Sequence, residues 1–167
     1  MIRLGSSKVV VTEVSVLSSL GCTPDELVSA LRSQTRGLTA EHRFHAHTRG
    51  VLGVVPSHIY EGASARLGQA DVAGLRAITH CLDSLASRSG VFERYAPERI
   101  GLYLGTSNSG VDSLLEDGKW RLADALEQAL RTLFPLRGPS FTFCTACSSA
   151  AHAIAQGAFA VAAGEAD

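Results

Sequence analysis

The sequence predicts a three-layer α/β domain built on a mainly parallel, mixed sheet, and three observations carry that reading. Runs of β-branched or aromatic residues stand at 9–14, 100–104 and 140–144. Between them, apolar residues recur at helical spacing over 72–85 and 114–133. The stretch 147–163 is apolar nearly all round and reads as a buried helix. Strands that alternate with helices favour parallel pairing through helical crossovers. At 167 residues, 46% of them apolar, the chain has the size and the core-forming content of one domain.

Each element follows from local chemistry. Val9 to Val14 (VVVTEV) is apolar on both faces, as expected of a central strand covered on both sides. Thr23-Pro24-Asp25-Glu26 offers an N-cap, a proline at the first helical position and a capping-box glutamate, so a helix is expected over about 24–33. Residues 35–68 hold five glycines and a short apolar run, Val51 to Val55, that can pair as an edge strand. From Asp71, the residues Val72, Leu75, Ile78, Thr79, Leu82 and Leu85 share one helix face, and Gly90 is the stop signal. Ile100 to Leu104 is the second strand, followed by a glycine-bounded turn from Gly105 to Gly110. A leucine-faced helix is expected between about 112 and 134, ended by Pro135 and Pro139. Ser140 to Cys144 is the third strand.

Composition excludes several classes of function. Fifteen Lys and Arg against sixteen Asp and Glu give a net charge of −1, which leaves no bulk basic face for a nucleic acid. No apolar stretch approaches the roughly 18 to 20 residues of a bilayer-spanning helix. The amino terminus lacks a secretory h-region, so a cytoplasmic protein is expected. Four cysteines, at 22, 81, 144 and 147, are too sparse for a disulfide framework and are expected as thiols.

Cys147 is the candidate nucleophile. It stands where a strand gives way to a helix, and the positive end of the helix dipole stabilises a thiolate there. The backbone N–H of the same residue can meet the carbonyl oxygen of a bound acyl group. The structural alternative is a buried thiol with no chemistry. The turn 105–110 is not a phosphate loop, because Val111 and Asp112 follow where Lys and Ser or Thr are needed. His42, His45 and His47 invite a metal, but no second ligand pair stands at a suitable spacing, so a solvated loop is expected and no metal site. Cys22, Cys81 and Cys144 are read as core or bystander thiols.

The segment Gly138-Pro-Ser-Phe-Thr-Phe-Cys-Thr-Ala-Cys147-Ser-Ser-Ala-Ala-His-Ala-Ile, followed by Gly164-Glu-Ala-Asp167, resembles the nucleophile segment of β-ketoacyl-acyl-carrier-protein synthases. Those read GP, a short strand, TACSS, a small-residue helix, then GDAD. Val9-Val-Val-Thr-Glu-Val and Arg99-Ile-Gly-Leu-Tyr-Leu-Gly-Thr-Ser-Asn-Ser-Gly110 are similar to the family's first strand and its GT-x-x-x-G turn. The three segments occur in the family's order, while 35–70 and 111–137 match loosely.

The resemblance implies a thiolase-like fold of two similar α/β halves, with residues 1–167 as the amino-terminal half and the carboxy-terminal half absent. It implies Cys147 as acceptor of an acyl chain from acyl carrier protein, then decarboxylation of malonyl-carrier protein and a Claisen condensation in fatty-acid or polyketide synthesis. Asn108 falls beside the acyl pocket as a substrate-binding residue, hinting at a short or unsaturated chain, with a solvent-facing loop residue as the alternative. No cofactor is implied. The expected partners are the carrier protein and the missing half or a complementary subunit, in a homodimer or heterodimer.

The departures are specific. The family's two catalytic histidines and its lysine belong to the second half, and none of the six histidines here matches them by motif. His152 matches a histidine common on the nucleophile helix but is expected to pack or hydrogen-bond, pointing away from the thiol. Only 27 residues, 111–137, separate Gly110 from Gly138, fewer than the family uses. The family continues beyond the position of Asp167 into a strand ending in glycines. A non-catalytic subunit or fragment completed by another chain is therefore the alternative to a working synthase, and a thiolase-fold acyltransferase acting on coenzyme A esters is a third reading.

Overall fold

The computed structural model describes residues 2–4, 7–41, 50–68, 73–107, 118 and 123–167, and it is an α/β structure. The chain opens with a hairpin, β1 (Ile2–Leu4) against β2 (Ser7–Val9), in antiparallel register Ile2↔Val9. Helix α1 (Pro24–Arg32) follows. Its capping box is complete: Thr23 Oγ1 accepts from Glu26 N–H at 3.2 Å, and the Glu26 carboxylate accepts from Thr23 and Cys22 N–H at 3.1 and 2.8 Å. These bonds satisfy N–H groups that the first helical turn leaves without intrahelical partners.

A second antiparallel hairpin pairs β3 (Leu38–Glu41) with β4 (Gly50–Gly53), so the expected strand over Val51 to Val55 forms in part: Val51 and Leu52 are in it, and Val54 and Val55 lie beyond its end. Helices α2 (Glu61–Leu67) and α3 (Ala73–Ser89) come next, and Gly90 ends α3 at φ +62°, a left-handed conformation that glycine adopts at little cost. A single helical turn, α4 (Val91–Arg94), leads to β5 (Leu102–Gly105). Then α5 (Ala123–Leu133) crosses over to β6 (Ser140–Phe143), which pairs with β5 in parallel register Leu102↔Ser140 to Gly105↔Phe143. A 3-10 turn, Ala146–Ser148, enters the last helix, α6 (Ser149–Ala162).

The β5–β6 pair is the middle of three layers, and strand alternation sorts its residues. Leu102, with Leu104 beside it, faces a core of Leu67, Leu75, Ile100, Leu130, Phe134 and Leu136 contributed largely by α2, α3 and α5. Leu130 is fully buried. On the other face Tyr103 stacks on Phe141 at 6.1 Å, and α6 lies across them with alanines and Gly157 toward the sheet. A Cβ on Gly157 would stand 3.3 Å from the Tyr103 ring, so a small residue there lets the helix sit close.

Three expectations are corrected. The run 9–14 is not a central strand: only Val9 is paired, and Val10, Val11 and Val14 are exposed. A β-branched run becomes a strand only when a partner edge takes its backbone groups, and here the run lies across a groove from β5 instead of in its ladder. Among the described residues there is no larger, mainly parallel sheet: the strands form one parallel pair, β5–β6, and two separate antiparallel hairpins. Parallel pairing needs a helical crossover, and among the described residues α5 supplies that link for β5 and β6. Nor is α6 a buried helix: it buries Ser149, Ala153, Ala158 and Ala160, while Ile154 is 62% and Phe159 53% exposed. A two-stranded layer is too narrow to cover a helix that is apolar on every side.

Candidate functional site

The carboxyl ends of β5 and β6 and the start of α6 meet at Cys147. The chain leaves β6 at Phe143, passes Cys144 and Thr145, turns through Ala146 at φ +52°, and enters the helical turn that holds Cys147. A non-glycine residue in the left-handed region is uncommon and has to be held by its surroundings. The clamp here is Ser149, itself 2% exposed. Its Oγ accepts from Thr145 N–H at 2.8 Å and lies 2.7 Å from the Ala146 carbonyl and 3.0 Å from the Thr106 carbonyl, its one proton shared between the two. Thr106 N–H in turn donates to the Phe143 carbonyl at 2.9 Å, extending the β5–β6 ladder to the edge of the turn.

Gly105 fits the same joint. A Cβ at this position would stand 2.6 Å from the Ser149 carbonyl group and the Ala150 nitrogen, closer than any side chain tolerates, so only glycine lets β5 end against the first residues of α6. Sequence reading placed Gly105 at the head of a turn. The strand–helix approach that demands it becomes visible only when α6 is folded back over β5.

Cys147 is exposed, two residues ahead of α6. Its backbone N–H has no hydrogen-bond partner among the described residues. The corner therefore offers an accessible thiol, a backbone donor on the same residue, and the positive end of a 14-residue helix within one turn. Such a corner can present a nucleophile and stabilise negative charge that develops on a carbonyl oxygen.

His152 is exposed, and its Nδ1 lies 3.1 Å from both the Ser148 carbonyl and Thr145 Oγ1. The Nδ1–H tautomer serves both, since a carbonyl only accepts. Its ring stacks on Phe143 at 6.1 Å. The expected hydrogen bond is present, at the surface and not in the interior, and its partners are the residues that flank Cys147 in the turn. Ser148 Oγ adds a bond to the Thr145 carbonyl at 2.9 Å.

The remaining candidates separate. Asn108 and the histidines at 42, 45 and 47 lie outside the described residues. Cys22 and Cys81 are half-buried, and burial is the first cause that raises both thiols, as suits bystanders. Cys144, read as a core or bystander thiol on the third strand, is exposed just beyond the end of β6, which overturns the core alternative alone. No group of three or more His, Cys, Asp or Glu side chains among the described residues is placed to hold a metal. No helix there is long and apolar enough to cross a membrane.

Sequence reading gave Arg99 no role. Its guanidinium grips Asp167 at 2.8 and 2.9 Å and the Gly164 carbonyl at 2.6 Å, while Asp167 N–H donates to the Arg99 carbonyl at 2.9 Å. The pair fastens the Gly164–Asp167 segment to the entry of β5, and the hydrogen bonds from Arg99 hold the Asp167 carboxyl below its usual range. The signal available in sequence was an arginine directly before one strand and an aspartate closing another motif, which has no local periodicity to reveal it. No protein-family model matches this chain, and no curated protein matches it.

Proposed function

We propose that the chain is the amino-terminal, thiolase-like half of a β-ketoacyl-acyl-carrier-protein synthase and that Cys147 accepts the acyl chain. One observation carries the reading: an exposed thiol on a clamped left-handed turn, with its own N–H unpartnered among the described residues and a helix amino terminus directly behind it. In this scheme the Cys147 thiolate attacks the thioester carbonyl of an acyl carrier protein in the cytoplasm. The negative oxygen that forms is stabilised by the Cys147 N–H and the end of α6. Collapse expels the carrier's thiolate, which takes a proton, and leaves an S-acyl cysteine. Condensation with malonyl-carrier protein then needs donors for the enolate that would come from the complementary half.

Intact mass after incubation with an acyl-carrier-protein thioester tests this. The wild-type chain should gain one acyl group and Cys147→Ala none. Acylation from the coenzyme A ester alone would favour a coenzyme A-dependent acyltransferase, and no acylation from either donor would remove the nucleophile assignment.

A second reading, a synthase-like subunit completed by another polypeptide, has its own support. A groove of about 410 Å³ runs between Val9–Val11, the β5 residues Leu102 and Tyr103, and α6, and it is lined almost wholly by apolar side chains. The buried Tyr103 hydroxyl has no hydrogen-bond partner among the described residues. The α6 side of the groove includes the exposed Ile154 and Val161. Apolar surface of this kind marks an interface. Light scattering showing a stable monomer would count against it.

A further inference from the structure

Cys144 and Cys147 stand three residues apart, both exposed, on either side of the left-handed Ala146. The Cys-x-x-Cys spacing ahead of a helix is one in which thiols commonly serve as a redox pair. The backbone bears on whether they can meet. Thr145 at φ −119°, ψ 39° and Ala146 at φ +52° bend the backbone between the two cysteines away from the extended form. Disulfides span roughly 4.4 to 6.8 Å between Cα atoms, a separation closed to an extended run of four residues and open to a bent one. Exposed disulfides are among the ones easily reduced.

We propose that Cys144 and Cys147 are a reversible modification site, closing to an intrachain disulfide when the chain meets a peroxide. The Cys147 thiolate attacks one peroxide oxygen. The O–O bond breaks, a sulfenic acid forms, and the departing hydroxide takes up the proton the thiol had lost, leaving as water. The Cys144 thiolate then attacks the Cys147 sulfur, the S–O bond breaks, and a second water leaves with the proton from Cys144. Two thiols have lost two electrons, and the peroxide has been reduced to two waters. A dithiol reductant reverses the bond by exchange. The disulfide withdraws the Cys147 thiol and shields it from irreversible oxidation. The inference uses the turn alone and holds whether or not Cys147 accepts acyl groups.

Trypsin leaves both residues in the one peptide that begins at Gly138, because no Lys or Arg stands between 138 and 167. After limited hydrogen peroxide and alkylation of remaining thiols, that peptide should carry no alkyl group and weigh about 2 Da less than the reduced form, recovering on treatment with dithiothreitol. In Cys144→Ser the same treatment should instead drive Cys147 to the sulfinic acid, a gain of about 32 Da that dithiothreitol does not reverse. Wild-type protein that goes directly to that gain, or that joins Cys147 to Cys22, Cys81 or another chain, would overturn the proposal.

Discussion

Two stretches with strand-forming side chains behave in opposite ways. Val9–Val14 and Ser140–Phe143 both read as strands, yet only the second is in a ladder. Ser140–Phe143 meets an edge, β5, delivered by the crossover of α5, and its far end is fixed by Thr106, Ser149 and Gly105. Val10 and Val11 meet a groove, and their side chains stay in solvent. β propensity describes what fits a pleated surface, and a supplied partner decides whether the surface exists. The same contrast divides α6, whose alanines are buried on the sheet and whose Ile154 and Phe159 are not.

The comparison can be broken from its strong side first. Leu130→Ala removes a fully buried side chain from the core beneath β5 and should cost about 2 to 5 kcal/mol in denaturant unfolding. Gly105→Ala places a Cβ 2.6 Å from the backbone of α6 and should cost about 1 to 3 kcal/mol while opening the turn around Cys147. Thr23→Ala breaks the capping box of α1 and should cost about 1 kcal/mol.

Acid should act locally. The Glu26 carboxyl is lowered first by the Cys22 N–H, and the Asp167 carboxyl by Arg99. A carboxyl lowered in the folded state adds stability above its unfolded pKa and loses it as pH falls through the lower folded value. Amide protection in 22–27 and 164–167, taken relative to the intrinsic exchange rate at each pH, should therefore fall below about pH 4 and hold steady from there to neutrality. On the weak side, Val11→Ser should change stability by less than about 0.5 kcal/mol, since the residue is 76% exposed. A loss comparable to that of Leu130→Ala would show the valine run to be packed in solution.

Much of the fold was legible because it is written locally. The capping box at Thr23, the leucine periodicity of α3 and α5, and Gly90 as a stop all depend on residues a few positions apart. The position of Cys147 between strand and helix was legible for the same reason. What escaped depends on distant partners. The Gly105–Ser149 approach joins residues 44 apart in sequence, and the Arg99–Asp167 grip joins residues 68 apart. The exposure of α6 was hidden because an all-apolar helix reads as buried whether or not a covering layer exists. The redox spacing of Cys144 was in plain view, but reading that residue as a strand position set it aside.

If the clamped corner of β5, β6 and α6 makes Cys147 an acyl acceptor, as proposed, and the valine run takes no part in it, acylation depends on Gly105 and not on Val11. The most direct test is the rate of Cys147 acylation by an acyl-carrier-protein thioester, followed by intact mass, in Gly105→Ala and Val11→Ser at a temperature where circular dichroism shows both folded. Acylation lost in Gly105→Ala and kept in Val11→Ser is the predicted result. Equal rates in the two variants would contradict it.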